Sequence, residues 1–275
     1  MNPSFHIQSP AIDTAGATLF MEVGPMGFSM VVLDDTNCFS AVVVYAFPAD
    51  TRYDAIDGHI RDIINNEKLL QQSFKKTTIT WSFPESILVP HEWMNTALMG
   101  DMLNLVFGDL AGGVAKTDFV YKHNLHNVYR VPGDVDAIIA THYLYSTQVH
   151  QYSLLPDLVN DNNDRLFLIF YQHRFTAMLS SGGALKVIQN FPYRHPEDAA
   201  FHLLNICKNF DLSPATVTLH LQGMIDAGSN LYAALYKYFL NMEFAGMPEA
   251  ASYSDAIKAY PAHFFSHLFA QALCA

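Results

Sequence analysis

From residue 18 onward the chain alternates short apolar runs with polar or glycine-rich breaks. Residues 18–23, 28–33 and 39–47 are rich in β-branched and aromatic side chains, and Gly24-Pro25-Met26-Gly27 and Asp34-Asp35-Thr36-Asn37 separate them. Runs of this kind, punctuated in this way, predict a three-stranded meander. Ile56, Ile60, Ile63 and Ile64 then recur at helical spacing between Asp54 and Leu70. A strand over residues 77–81 and a helix over about 91–107 complete the order β-β-β-α-β-α.

The same order starts again near residue 165. Runs over 166–170, 175–179 and 185–191 predict a second meander, with Ser180-Ser181-Gly182-Gly183 as its second turn. A helix opens at His195-Pro196-Glu197-Asp198, where Pro suits the first turn and the acids suit the positive helix end. Leu203, Cys207 and Phe210 form its apolar face, and a strand over 216–221 and a helix over 229–239 follow. Leu19 and Leu166 are 147 residues apart, as are Phe28 and Phe175, whereas Phe47 and Phe191 are 144 apart and Thr78 and Thr216 are 138 apart. Each half is expected to finish with a strand (128–131 and 241–245) and a helix (134–145 and 262–273). Residues 108–127 read as an insertion within the first copy. The pattern therefore predicts a duplicated α/β unit.

Composition narrows the function classes. Half the chain is apolar (51%), with 20 Phe and 14 Tyr, which excludes a disordered chain. The net charge of −11 argues against nucleic acid or an anionic membrane as partner, because phosphate binding needs an excess of Lys and Arg along one face. Cys38, Cys207 and Cys274 have no paired spacing, which points to a reducing compartment. The first residues carry no basic start and no long apolar run, and the longest β-like apolar stretch, 39–47, is nine residues. The expectation is a cytoplasmic protein without membrane insertion.

A duplicated β-β-β-α-β-α-β-α unit resembles the actin-like ATPase fold, two ribonuclease-H-like domains facing a nucleotide cleft. The chain also resembles a bacterial family of unknown function with that fold. The residues that carry this resemblance are Ile87-Leu88-Val89-Pro90, Val149-His150-Gln151-Tyr152-Ser153-Leu154-Leu155-Pro156, Tyr193-Arg194-His195-Pro196-Glu197-Asp198, and Pro261-Ala262-His263-Phe264-Phe265 with Leu273-Cys274. The resemblance implies two actin-like domains, residues 1–160 and 161–275. It implies no chemistry.

Actin-like ATPases hold phosphates on the first hairpin of each domain, in the form Asp-x-Gly. The Asp holds hydrated Mg²⁺ and the Gly lets backbone N–H groups approach the phosphate. In the first copy the matching residues are Glu22-Val23-Gly24, followed by Pro25-Met26-Gly27; Pro25 removes one donor. In the second copy they are Ile169-Phe170-Tyr171, followed by Gln172-His173-Arg174. The carboxylate has become Ile, the Gly has become Tyr, and Arg174 at the hairpin tip reads as solvated. The adenosine loop of the fold would match residues 221–230, where Gly223 and Gly228 permit close backbone approach and Ser229 suits a helix cap. A strand-end turn followed by a cap explains those glycines equally well.

Other chemistry is weaker. There is no Gly-x4-Gly-Lys-Ser/Thr loop, no Gly-x-Ser-x-Gly elbow and no His-Glu-x-x-His. The pairs His263/His267 and His123/His126 have a spacing that two metal ligands can share, but no third ligand is close in sequence. Asp134/Asp136 and Glu197/Asp198 stand at helix starts, where capping accounts for them. The expected function is a binding or scaffold protein with a degenerate nucleotide site, acting on a protein partner or on itself, with no cofactor and no metal. The alternative is an ATP-binding ATPase or small-molecule kinase using the inter-domain cleft, with Mg-ATP held by Glu22, Gly24, Gly27, Gly223 and Gly228. A third reading places enzyme chemistry on Tyr171 and His173.

Overall fold

In the computed structural model, which describes residues 1–158 and 164–275, the chain forms two compact units. One comprises Met1–Asp157, Ala250–Ile257 and Gln271–Ala275; the other comprises Leu158–Glu249 and Lys258–Ala270. The domain boundary expected between residues 160 and 161 lies outside the described residues.

The first unit begins with β1 (Phe5–Gln8), β2 (Thr18–Gly24), β3 (Gly27–Leu33) and β4 (Cys38–Ala46), followed by α1 (Ile56–Asn66) and β5 (Lys76–Trp81). Next come β6 (Ser86–Pro90), α2 (Met99–Phe107), β7 (Gly113–Val120) and β8 (Leu125–Pro132), and then α3 (Gly133–His142), β9 (Thr147–His150) and the short α4 (Gln151–Leu154). The main sheet runs β1-β4-β3-β2-β5-β9. Alternation decides its faces. Leu19, Met21 and Val23 of β2 join Phe28, Met30, Val43, Ile79 and Trp81 in one core, closed by the isoleucine stripe of α1 and by Val135, Ile138 and Ile139 of α3. Phe20 and Glu22 lie on the opposite face of β2.

The second unit contains β10 (Arg165–Phe170), β11 (Arg174–Ser181), β12 (Ala184–Pro192), α5 (Pro196–Asn209), β13 (Thr218–Gly223), α6 (Asn230–Tyr236) and β14 (Asn241–Phe244), in the sheet order β12-β11-β10-β13-β14. Its core gathers Leu166, Leu168 and Phe170 with Phe175, Leu203, Leu219 and Leu235. Pro196 opens α5, and the Asp198 carboxylate accepts the N–H groups of Arg194 and His195, each at 2.9 Å. The remaining elements are β15 (Ser252–Tyr253), which adds parallel to β4, α7 (Asp255–Lys258) and α8 (Ser266–Cys274).

The two sheets share one plan. β4-β3-β2-β5-β9 and β12-β11-β10-β13-β14 have the same connectivity and directions. Even the β-bulge repeats: it falls between Val32 and Leu33 in one copy and between Leu179 and Ser180 in the other, 147 residues later. Strand register corrects two of the sequence offsets. Glu22 pairs with Thr80 and Ile169 pairs with Gln222, so the fourth strands match at 142 residues and not 138. Tyr45 matches Phe191, so the third strands match at 146 and not 144.

The largest correction lies between β5 and α3. Residues 128–131 belong to β8 of a separate sheet, β6-β8-β7, and the fifth strand of the first copy is β9. The helix expected over 134–145 therefore precedes that strand as its crossover. The insertion spans β6 to β8 and exceeds the expected 108–127. Only the last part of the helix expected over 91–107 is regular α-helix, Met99–Phe107.

Candidate functional site

The two matched hairpins differ most at their tips. In the first unit β2 and β3 meet with Gly24 opposite Gly27, so the turn is Pro25-Met26. Gly27 passes so close to β4 that a Cβ there would lie 2.3 Å from the Tyr45 carbonyl oxygen. The Met26 carbonyl accepts the Phe47 N–H at 2.9 Å. Glu22 sits between Ser29 and Thr80 in the sheet with its side chain only 4% exposed. Thr78 and Thr80 share its face, and their hydroxyls are buried with no hydrogen-bond partner among the described residues.

In the second unit β10 and β11 close through Gln172-His173. The Tyr171 N–H donates to the Arg174 carbonyl at 2.9 Å, and the strand register places Tyr171 where Gly24 stands in the first copy. The Arg174 guanidinium lies 4.8 Å from the centre of the Tyr171 ring. The His267 ring meets the other ring edge-on at 5.8 Å and 79°. The Tyr171 carbonyl accepts the Tyr193 hydroxyl at 2.7 Å. Arg174 is not solvated at the tip, as its sequence position suggested, but 6% exposed. A guanidinium loses less hydration than an ammonium when it stacks on an aromatic face, so the pair tolerates burial. Burial holds the His267 imidazole neutral and pushes its pKa down to about 3.

The glycines after β13 have local duties. Gly223 has φ +79° and pairs with Phe170 at the end of β10; a Cβ would lie 2.3 Å from the Phe170 carbonyl oxygen. The Asp226 carboxylate accepts the Gly228 N–H at 2.7 Å, and Ser229 caps α6 by accepting the Tyr232 N–H at 3.1 Å. The His263 Nε2 donates to the Ile225 carbonyl at 2.7 Å and so braces the same loop. Glu22, Gly24 and Gly27 thus come together on one hairpin of the first unit, and Gly223 and Gly228 stand at the ends of one loop in the second.

Several residues escaped the sequence reading. In the first unit the Asp118 carboxylate accepts the Ser153 hydroxyl and the His150 N–H, both at 2.7 Å, and the Tyr129 hydroxyl at 3.2 Å. Burial pushes Asp118 above the usual carboxylate range, and these hydrogen bonds pull the other way. Asn127 joins the chain by donating to Ser153 at 3.0 Å and accepting from Ser86 at 2.5 Å. His150 and Ser153 lie in the Val149–Pro156 block that carried the family resemblance, which was the available signal. Asp118 had none. Of the histidine pairs, His126 contacts His91, with 2.9 Å between ring nitrogens, and burial and its partner lower its pKa. Asp136 pairs with Lys116 at 2.6 Å. Among the described residues, no group of three or more His, Cys, Asp or Glu is placed to hold a metal ion.

Comparison with known proteins adds the following. The family described as "Protein of unknown function (DUF3822)" matches residues 9–242. No curated protein matches the sequence. A Bacteroides thetaiotaomicron protein of actin-like ATPase fold and unknown function is 15% identical, with TM-score 0.78 over 96% of this chain and 100% of that one. The PilM-PilN type IV pilus biogenesis complex contributes a chain 13% identical, TM-score 0.61, over 95% and 98%. The ethanolamine utilization protein EutJ from Carboxydothermus hydrogenoformans is 10% identical, TM-score 0.54, over 98% and 93%. These likenesses establish the fold: the chain has the duplicated ribonuclease-H-like, actin-like ATPase architecture.

Proposed function

The chain belongs to the DUF3822 family, whose function is unknown, and from that premise we propose that it is a binding or scaffold protein whose nucleotide site has degenerated. The observation that carries this reading is Tyr171. Its ring stands where the phosphate hairpin of this fold needs glycine, and Arg174 and His267 hold it in place. Phosphoryl transfer relies on opposed groups that clamp the phosphates and their metal ion. Glu22 and the open turn at Gly24 suit one half of such a clamp; Ile169 and Tyr171 do not suit the other. The residues present therefore do not fit Mg-ATP.

A protein partner is supported by the segment inserted between β5 and α3. Trp93, Leu98, Leu105, Val106, Phe107 and Tyr121 are all exposed there, with Leu105 at 88% and Tyr121 at 83%. Contiguous exposed apolar patches mark interaction surfaces, and these six side chains fall within one inserted segment. A structural neighbour resolved in a complex of pilus biogenesis accords with such a role. No helix among the described residues is long and apolar enough to cross a membrane. The unpaired spacing of Cys38, Cys207 and Cys274 supports a reducing, cytoplasmic location.

The buried hydroxyls of Thr78 and Thr80 beside Glu22 favour the second reading, a retained ATPase or kinase that uses Glu22, Gly24, Gly27, Gly223 and Gly228. Calorimetric titration with Mg-ATP and Mg-ADP separates the two. The degenerate-site reading predicts no binding heat at millimolar nucleotide. Saturable binding that Glu22→Ala abolishes would establish the second reading instead.

A further inference from the structure

The outer edge of β4 is closed by β1, which pairs antiparallel with Phe5 opposite Val44 and Ile7 opposite Val42. The ladder runs past the strand ends: the Ser4 N–H donates to the Val44 carbonyl at 2.7 Å and the Ser9 N–H to the Ser40 carbonyl at 2.9 Å. β1 arrives as a separate extended segment, because residues 9–17 contain no helix or strand. In the second unit the corresponding strand is β12, and among the described residues no strand pairs with its outer edge.

Register equates the two edges residue by residue. Gly27 opposite Ala46 matches Arg174 opposite Pro192, so Val42 matches Ile188, and Ser40 at the bulge matches Lys186 at the bulge. The Tyr193 N–H donates to the His173 carbonyl, and strand alternation from that pair turns the peptide groups of Ile188 away from β11. Ile188 is buried and Lys186 is exposed.

We propose that the outer edge of β12 is a strand-addition site for an extended segment of a partner protein. The segment pairs antiparallel, places an apolar side chain opposite Ile188 as Ile7 does opposite Val42, and carries a carboxylate two residues later, beside Lys186. Main-chain hydrogen bonds supply the affinity of such sites, and alternate side chains supply the selectivity. An exposed lysine on a sheet edge works against indiscriminate pairing and selects an acidic strand. The inference rests on the binding-protein reading, but the two fail separately: nucleotide binding would defeat that reading and leave the edge result unchanged.

The test uses the whole protein and labelled peptides copying its residues 2–10, one with Ser9→Glu and one with Ser9→Lys. Fluorescence anisotropy is expected to show the Glu peptide binding about fivefold tighter than the Lys peptide. Lys186→Glu, an exposed change that leaves the fold intact, is expected to invert that preference. Ile188→Pro removes the outward N–H and is expected to abolish binding. Hydrogen exchange at the Ile188 amide should slow when peptide is added. Equal binding of both peptides to wild type and Lys186→Glu, no binding at millimolar peptide, or unchanged exchange at Ile188 would overturn the proposal. So would an Ile188 amide already protected in a concentration-dependent dimer, which assigns the edge to a second copy of the chain.

Discussion

At Gly223 both the backbone angle and the surroundings exclude a side chain. With φ at +79° and the Phe170 carbonyl oxygen 2.3 Å from any added Cβ, Gly223→Ala must move the ends of β10 and β13 apart. The expected loss is about 2 kcal/mol, in line with forced positive-φ and close-contact substitutions. Urea denaturation checks it, and an unchanged midpoint would show that the strand ends yield freely. His267 gives the pH dependence. Its pKa falls from 6.5 to about 3 because the ring is buried. The unfolded chain takes up a proton near pH 6.5 while the folded chain does not. The contribution of His267 is thus complete above that pH and is lost as the pH falls. Between pH 6.5 and 5 the loss is about 2 kcal/mol. Thermal unfolding across that range should be flatter for His267→Gln than for the parent; identical slopes would exclude His267 as the source. Neither feature was legible in the sequence. Gly223 read equally as a ligand loop or a turn, and nothing in the chain order tied His267 to Tyr171.

Elements with strong punctuation were legible, and weakly patterned ones were not. The first meander was visible because Gly, Pro and Asp/Asn breaks bracket β-branched runs, the second because its apolar runs return at the same spacing around Gly182-Gly183, and α1 because four isoleucines mark one face. β9 is four residues long and largely polar, Thr147-Gln148-Val149-His150, so it carries no hydrophobic signal. α2 buries only Leu103 and β7 only Val120, so residues 108–127 carried little hydrophobic signal and read as an insertion. Polar contacts add to the buried Val128, Tyr129 and Val131 of β8 in fixing the inserted sheet. Asp118 on β7 and Asn127 on β8 bind Ser153 and the start of α4. Arg130 holds Glu85 at 2.6 Å, Asn104 at 2.7 Å and the Gly108 carbonyl at 2.9 Å. Asp118→Ala would strand three buried donors, at a cost of about 3 kcal/mol. Amide exchange should quicken in β7 and β8 while α1 keeps its protection; uniform exchange across the unit would show that the sheet is anchored elsewhere.

Over the whole molecule, duplication was the most legible property, because two copies of one plan repeat the same order of elements, with the first two strands offset by a constant 147 residues. The four-residue slip in matching β5 to β13 has a physical cause: parallel register is set by the crossover helices and not by any hairpin. The candidate site was half legible. The replacement of Gly by Tyr at 171 was plain in the sequence, whereas the stacking of buried Arg174 on that ring was not. The most direct test of the degenerate-site reading is a crystal structure grown with millimolar Mg-ADP. The expected result is the Tyr171 ring between Arg174 and His267, with no nucleotide bound beside it. A Tyr171 ring turned away, with diphosphate oxygens against the peptide groups of either hairpin, would contradict it.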